Sequence, residues 1–214
     1  AKKRGLPRKF GHREGAKTFK KITRYCKNIG IKNITFYAFS TENWKRPADE
    51  VSAIIELFRE YIVDVRNYIG EEVRVLFLGD KTIFDDDLQK KMNDLEEDTK
   101  DYNKMTMLLA INYGGRDEIV HAAKILSEQV KRGEIQPDEI TEDMFQKYLY
   151  TADVPDVDLM IRPSGELRLS NFLIWQSAYA EFYFTDVLWP DFSPNELDKA
   201  LIEFGKRSRR FGGV

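Results

Sequence analysis

The chain has 214 residues, of which 42% are hydrophobic, and carries 34 basic against 36 acidic side chains for a formal net charge of −2 and an isoelectric point of about 5.9. This length can bury one sizeable core, and no Ser/Gly-rich linker, repeat or low-complexity tract divides it, so residues 1–214 read as a single domain. The balanced charge excludes a global attraction to nucleic acid. No apolar run approaches the ~20 residues of a membrane span and no signal peptide opens the chain. The lone Cys26 excludes an internal disulfide, and the chain reads as a soluble protein of the reducing cytoplasm.

Ala1 to Gly15 are polar and rich in glycine and arginine, with no strand before the first helix, which suggests that something upstream is missing. Phe19, Ile22, Cys26 and Ile29 then recur at helical spacing. A strand at Ile34–Phe39 opens into a polar loop with Ser40, Thr41, Asn43, Trp44 and Arg46, followed by a helix whose stripe is Val51, Ile54, Ile55, Phe58, Tyr61, Ile62 and Val65. Next come a strand at Val73–Leu78, a helix through Leu88, Met92 and Leu95, and a strand at Met105–Ile111. Ile119, Ala123, Leu126 and Val130 mark another helix, Met144 to Leu149 a shorter one, Val157–Ile161 and Ala180–Phe184 two more strands, and Leu197, Ala200, Leu201 and Phe204 a last helix. The strands are short, β-branched or aromatic, and bounded by Gly, Asp or Asn. Their alternation with helices predicts an α/β fold with a central, mainly parallel sheet flanked by helices.

The most chemically loaded segment is Asp158-Leu-Met-Ile-Arg-Pro-Ser-Gly-Glu-Leu-Arg-Leu-Ser170. If Leu159 to Ile161 form a buried strand, Arg162, Ser164, the Gly165 backbone, Arg168 and Ser170 gather beyond its carboxyl end, where open α/β sheets bind ligands. Two guanidiniums with several N–H and O–H donors suit a diphosphate; the alternative is that the arginines pair with carboxylates such as Glu166. The Ser40–Arg46 loop leaves a second strand end at the same edge. Asn112-Tyr-Gly-Gly-Arg-Asp117 also follows a strand; it either faces the crevice or is a Gly-Gly turn with Asp117 capping a helix. His12, among Arg8, Gly11 and Arg13, is either a ligand or acid–base group or simply exposed.

Several chemistries are absent. Neither G-x-G-x-x-G nor a P-loop occurs, and His12 and His121 offer no zinc pair. Asp85-Asp-Asp87 lacks the third aspartate of a magnesium motif and reads as a helix start. Cys26 lies on an apolar stripe, and Arg207 to Gly213 read as a basic helix end.

Taken together, Ala1-Lys-Lys-Arg-Gly-Leu-Pro-Arg8 with Gly11-His12 and Gly15, Tyr37-Ala-Phe-Ser-Thr-Glu-Asn-Trp44 with Arg46-Pro47, Asn112-Tyr-Gly-Gly-Arg116, Ile161-Arg-Pro-Ser-Gly-Glu166 with Arg168-Leu-Ser-Asn-Phe172, and Glu181-Phe-Tyr-Phe-Thr-Asp186 with Trp189-Pro190 and Arg210-Phe-Gly-Gly213 resemble the cis-prenyltransferase family in the family's order. The resemblance implies sequential addition of isopentenyl diphosphate to farnesyl diphosphate with Mg²⁺, yielding a long-chain polyprenyl diphosphate, a lipid-carrier precursor for cell-wall synthesis. It implies that Arg162, Arg168 and Ser170, with Ser164 beside them, hold isopentenyl diphosphate and that Arg8 and His12 face the allylic diphosphate, with Trp44 and Arg46 in the same site. Ser40 and Asn43, with His12, would serve proton transfer, and Glu181 would help hold magnesium. It further implies a homodimer in which Arg210 and Gly212 reach the neighbouring active site, no nucleic-acid partner, and peripheral membrane contact through the lipid product.

Two departures stand out. The family's Met-Asp-Gly-Asn-Gly-Arg-Trp block, expected just before Ala1, is not in this sequence, and with it goes an aspartate tied to magnesium; this motivates a second reading as a non-catalytic accessory subunit that binds prenyl diphosphate. Pro163 stands where threonine is usual, removing an N–H donor. An apolar tunnel between sheet and helices is expected, walled by the helices around Val51–Ile69 and Leu88–Leu95 with Ala38 and Met105. Thr41 to Glu50 is expected to act as a loosely packed lid, and Phe172 to Phe184 holds more large hydrophobes than one strand face can bury, predicting cover from a second subunit.

Overall fold

The structure, a computed structural model, describes residues 8–69 and 72–207, and the side chains of 11–65 and 72–207. In chain order it forms α1 (Arg8–Ile29), β1 (Asn33–Ser40), α2 (Ala48–Ile69), β2 (Val73–Leu78), α3 (Asp86–Thr99), β3 (Met105–Tyr113), α4 (Gly115–Lys131), α5 (Glu142–Gln146), β4 (Leu159–Arg162), β5 (Glu181–Phe184) and α6 (Pro194–Gly205). The strands fall within a residue or two of the expected runs. All pairings among the described residues are parallel, as predicted, but they divide into a three-stranded sheet of order β1-β3-β2 and a two-stranded sheet β4-β5.

Burial on both faces explains why the strands read as continuous apolar runs. In β3, Met105, Met107, Leu109 and Ile111 join one core with Phe19, Ile22 and Cys26 of α1, Val65 of α2, and Leu88, Met92 and Leu95 of α3. The alternate residues Leu108 and Ala110 point to the opposite face and pack with Leu78, Tyr113, Met160 and Leu173. β2 is an edge strand, and α3 closes its outer side: Val75 N–H donates to Thr99 Oγ1 at 3.0 Å and Phe77 N–H to Glu96 Oε1 at 2.8 Å.

α1 starts eleven residues ahead of the apolar stripe's first member, Phe19, and runs through Gly11 and Gly15. Glycine disfavours a helix by about 1 kcal/mol, so tertiary contact must offset it here. Trp189 Nε1–H donates to Gly15 O at 3.1 Å, and a Cβ at Gly15 would lie only 3.1 Å from Trp189 Cδ1. His12 is therefore a half-buried helical residue.

Cys26 is 2% exposed, and burial pushes its thiol up to about 12. At pH 8 it stays protonated and shielded. Thiol titration with an aromatic disulfide reagent should find no reactive group in the native protein and one after unfolding in guanidinium.

Two sequence expectations are corrected here. Leu88, Met92, Leu95 and Met105 are solid core, at most 2% exposed, and form no tunnel wall. Asp117 does not cap α4; the N-cap position is Gly114, which has no side chain to do so. In the Phe172–Phe184 stretch Phe172 stacks on Tyr37 and Trp175 on Phe145, while Tyr179 and Phe184 are exposed and are the part left for a second subunit to cover. The Asp85–Asp87 run is a helix start as read: Asp85 accepts from Leu88 N–H, and hydrogen bonds from Arg59 and that N–H hold its carboxyl down at about 2.

Candidate functional site

Arg162 is the last residue of β4 and leads into a tight turn in which Ser164 and Gly165 both have positive φ, 77° and 71°. Two successive positive-φ residues at the centre of a turn are the type I′ arrangement, with Pro163 just ahead of them. The turn is fixed against the segment after β5: Ser164 N–H donates to Val187 O and Gly165 N–H to Thr185 O, each at 2.9 Å. The Gly165 amide is thereby consumed by structure and does not face the crevice, contrary to expectation. Arg162 Nη2 reaches Ser170 Oγ at 3.4 Å, while its Nε is buried with no hydrogen-bond partner among the described residues. A buried guanidinium N–H without an acceptor is costly, and an anionic ligand would supply the acceptor. Arg168 is exposed and paired with Glu166 at 2.5 Å, as the alternative reading allowed.

Ser170 belongs to a run of uncommon backbone: Ser170, Asn171 and Leu173 have φ of 52°, 64° and 43°. The second loop adjoins it. Tyr37, in β1, places its hydroxyl 3.1 Å from Tyr113 O and 3.4 Å from Ser170 O, and burial, reinforced by the Glu42 charge, pushes its phenol up to about 12. Beyond β1, Thr41–Lys45 form a 3₁₀ turn whose Asn43 Oδ1 accepts from Ser40 N–H at 3.2 Å. Trp44 is locked in place: its Nε1–H donates to Asn112 Oδ1 at 2.8 Å, and its ring meets Phe39 and Phe84. In this structure the segment expected as a lid is an ordered turn joined to α2 by Arg46 and Pro47.

A third cluster joins α1 to α2. Glu50 Oε1 lies 3.2 Å from Arg46 Nη1 and 4.0 Å from His12 Nε2, bringing two of the predicted residues onto one carboxylate. His12 also lines a cavity of about 940 Å³ with Arg162, Ser164 and Arg168. Apolar side chains make much of its wall, including Phe19, Ile54, Phe58 and Tyr61, and residues 30–38 and 154–164 border it along β1 and β4. Ala38 is on this lining as expected.

Glu181 stands apart. It opens β5 opposite Leu159, whereas Arg162 pairs with Phe184 at the other end of the same ladder, and its Oε2 accepts from Arg207 Nη1 at 2.6 Å. Among the described residues no three His, Cys, Asp or Glu side chains gather into a set that could hold a metal. One ion-paired carboxylate does not make a magnesium site. The side chain of Arg8, and Arg210 and Gly212 altogether, lie outside the described residues. No described helix is long and apolar enough to cross a membrane.

Sequence reasoning missed Glu42, Glu50 and Asn171 as members of the site. Each sits inside or beside a quoted block, but its partners come from distant segments: Asn171 Nδ2 donates to Glu42 Oε1 at 2.9 Å across 129 residues. Periodicity carries no such signal.

Residues 1–212 match the family described as "Putative undecaprenyl diphosphate synthase". The isoprenyl transferase of Clostridium perfringens is 51% identical over all of this chain and 85% of its own length. The ditrans,polycis-undecaprenyl-diphosphate synthase of Pasteurella multocida, named as specific for (2E,6E)-farnesyl diphosphate, is 45% identical over all of this chain and 90% of its own. Among solved structures, lavandulyl diphosphate synthase from Lavandula x intermedia, in complex with dimethylallyl diphosphate, superposes with a TM-score of 0.95 at 35% identity, covering 99% of this chain and 92% of that one. A probable undecaprenyl diphosphate synthase from Campylobacter jejuni gives 0.80 at 38% identity, covering 93% and 92%. These relatives are named for catalysis and none as an accessory subunit; with the parallel strands and the arginine-bearing chamber, they show that the chain belongs to the undecaprenyl diphosphate synthase family and is a cis-prenyltransferase.

Proposed function

We propose that the protein condenses isopentenyl diphosphate sequentially onto farnesyl diphosphate to build a long-chain polyprenyl diphosphate, the lipid-carrier precursor of cell-wall synthesis. The observation that carries this reading is one chamber with two characters: His12, Arg162, Ser164 and Arg168 on its lining, and aromatic and aliphatic side chains from α1 and α2 along the rest. A diphosphate with a hydrocarbon tail needs both. Arg162 holds the isopentenyl diphosphate through its unsatisfied Nε, with Ser164 and Ser170 beside it and Arg168 exchanging Glu166 for the ligand. His12 and Arg46, with Arg8, face the allylic diphosphate, and Trp44 holds the shape of the turn between them.

In each cycle the isopentenyl C3–C4 π pair bonds to the allylic C1, the C1–O bond breaks with its pair leaving on diphosphate, and a proton leaves C2 as the new double bond forms. Ser40 and Asn43 take part in conducting that proton away. Magnesium, when bound, neutralises charge on the leaving diphosphate. Glu181, which is ion-paired with Arg207, would help hold it together with diphosphate oxygens.

Incubating the protein with radiolabelled isopentenyl diphosphate, farnesyl diphosphate and Mg²⁺ tests the reading, with products sized by chromatography. Extension without a partner protein supports it; binding without extension supports the accessory role. We further propose a homodimer in which exposed Tyr179 and Phe184 are covered and Arg210 and Gly212 complete the partner's diphosphate site, with peripheral membrane contact through the product. Sedimentation velocity should give a species of twice 25.1 kDa; a fully active monomer rejects the shared site.

A further inference from the structure

Asn171 makes three hydrogen bonds that no single turn requires. Its backbone O accepts from Gly115 N–H at 2.7 Å, its Oδ1 from Arg116 N–H at 2.9 Å, and its Nδ2 donates to Glu42 Oε1 at 2.9 Å. The first two put it where α4 lacks a cap of its own, because Gly114 offers no side chain to the free N–H groups of the helix start. A Cβ at Gly114 would lie 2.6 Å from Asn171 Nδ2 and 2.8 Å from Thr41 Oγ1, so a side chain there would displace the two groups that close over this helix end. The third bond crosses to the 3₁₀ turn that carries Asn43 and Trp44. On Glu42, partial burial raises the carboxyl, but hydrogen bonds from its own segment and from Asn171 outweigh it, leaving an ionised acceptor.

The same residue sits between Ser170 and Leu173 in the positive-φ run, and asparagine tolerates that conformation better than most side chains. Its three anchors hold the run in place, and with it the Ser170 hydroxyl that meets Arg162.

We infer that Asn171 is a positioning residue: it bridges the Arg162–Ser170 loop to the Ser40–Lys45 turn and so sets the spacing between the isopentenyl side of the site and the side that removes the proton. This rests on the function proposed above. Asn171→Ala should lower kcat at least ~10-fold and raise KM for isopentenyl diphosphate several-fold, with an unchanged circular dichroism spectrum. Asn171→Asp keeps an acceptor for Arg116 N–H but sets a carboxylate against Glu42, and should be equally impaired without loss of side-chain volume. Glu42→Gln combined with Asn171→Asp exchanges donor and acceptor across the bridge and should return kcat to within ~3-fold of the parent. Wild-type constants for Asn171→Ala, or no recovery in the combined variant, would overturn the inference. If the parent protein fails to condense the two diphosphates, the transferase reading falls by itself. The bridge is then read from urea unfolding of the parent, Glu42→Gln, Asn171→Asp and the combined variant, where stability losses that simply add would overturn it and recovery in the combined variant would support it.

Discussion

Arg162→Ala should lower kcat/KM for isopentenyl diphosphate by at least ~30-fold, the equivalent of about 2 kcal/mol, because charge-assisted hydrogen bonds in a shielded cavity are the strong ones. The loss should fall on KM and kcat together, since the same guanidinium holds the ground state and fixes the reacting double bond. The fold should survive: among the described residues this side chain is held by one long hydrogen bond, to Ser170 at 3.4 Å. Removing the guanidinium also removes a buried N–H without a partner, so thermal stability should hold or rise slightly. Arg162→Lys keeps the charge but not the planar fork and should recover only part of the loss. Steady-state kinetics with varied isopentenyl diphosphate measure this, and an Arg162→Ala enzyme with parental constants would place the residue outside the site.

Glu118→Ala should be the most damaging substitution for stability. The Glu118 side chain is completely buried and accepts from Tyr113 OH at 2.6 Å, Tyr150 N–H at 2.8 Å and Gln176 Nε2 at 3.0 Å. Burial and the adjacent carboxylate push the Tyr113 phenol up, so Tyr113 remains a donor throughout the accessible pH range. Truncation strands three donors and leaves a void, at a cost of about 3–5 kcal/mol, which in a chain of 214 residues lowers Tm by roughly 10 °C. Glu118→Gln can keep its acceptor oxygen on Tyr113 and Gln176 while its amide N–H₂ meets the Tyr150 N–H alone, and should lose less than alanine. Scanning calorimetry decides it; a Tm change under ~2 °C for Glu118→Ala would mean the network contributes nothing net.

The strands were legible because parallel strands buried on both faces show as short unbroken apolar runs, and Val73–Leu78 was recovered to the residue. The start of α1 was not, since Gly11 and Gly15 argue against a helix locally and contacts from distant segments, the Trp189 bond to Gly15 and the Thr18 bond to Pro190 among them, offset that. The arginine loop was legible as chemistry: a strand, then two guanidiniums and two hydroxyls. Its geometry was not. Nothing local says that the Gly165 amide is spent on Thr185, or that Glu181, despite its place in a motif, opens its strand opposite Leu159 and far along the ladder from Arg162. Glu50 and Asn171 were invisible for the same reason: their roles arise from side chains meeting across distant segments, and pattern reading sees only neighbours in sequence.

The closure of β2 by α3 bears on how the protein behaves in a crowded solution. A bare strand edge is a template on which any extended peptide can add itself, and aggregates commonly grow from one. Here Thr99 and Glu96 already occupy two of the N–H groups that such an intruder would need, and Thr99 does so while its own hydroxyl donates to Leu95 O. An incoming chain would have to displace a packed helix before finding a donor on that side. During synthesis β2 emerges before both α3 and its partner β3, so its two sides are open until the 21 residues from Leu78 to Thr99 cover the outer one and β3 pairs with the inner.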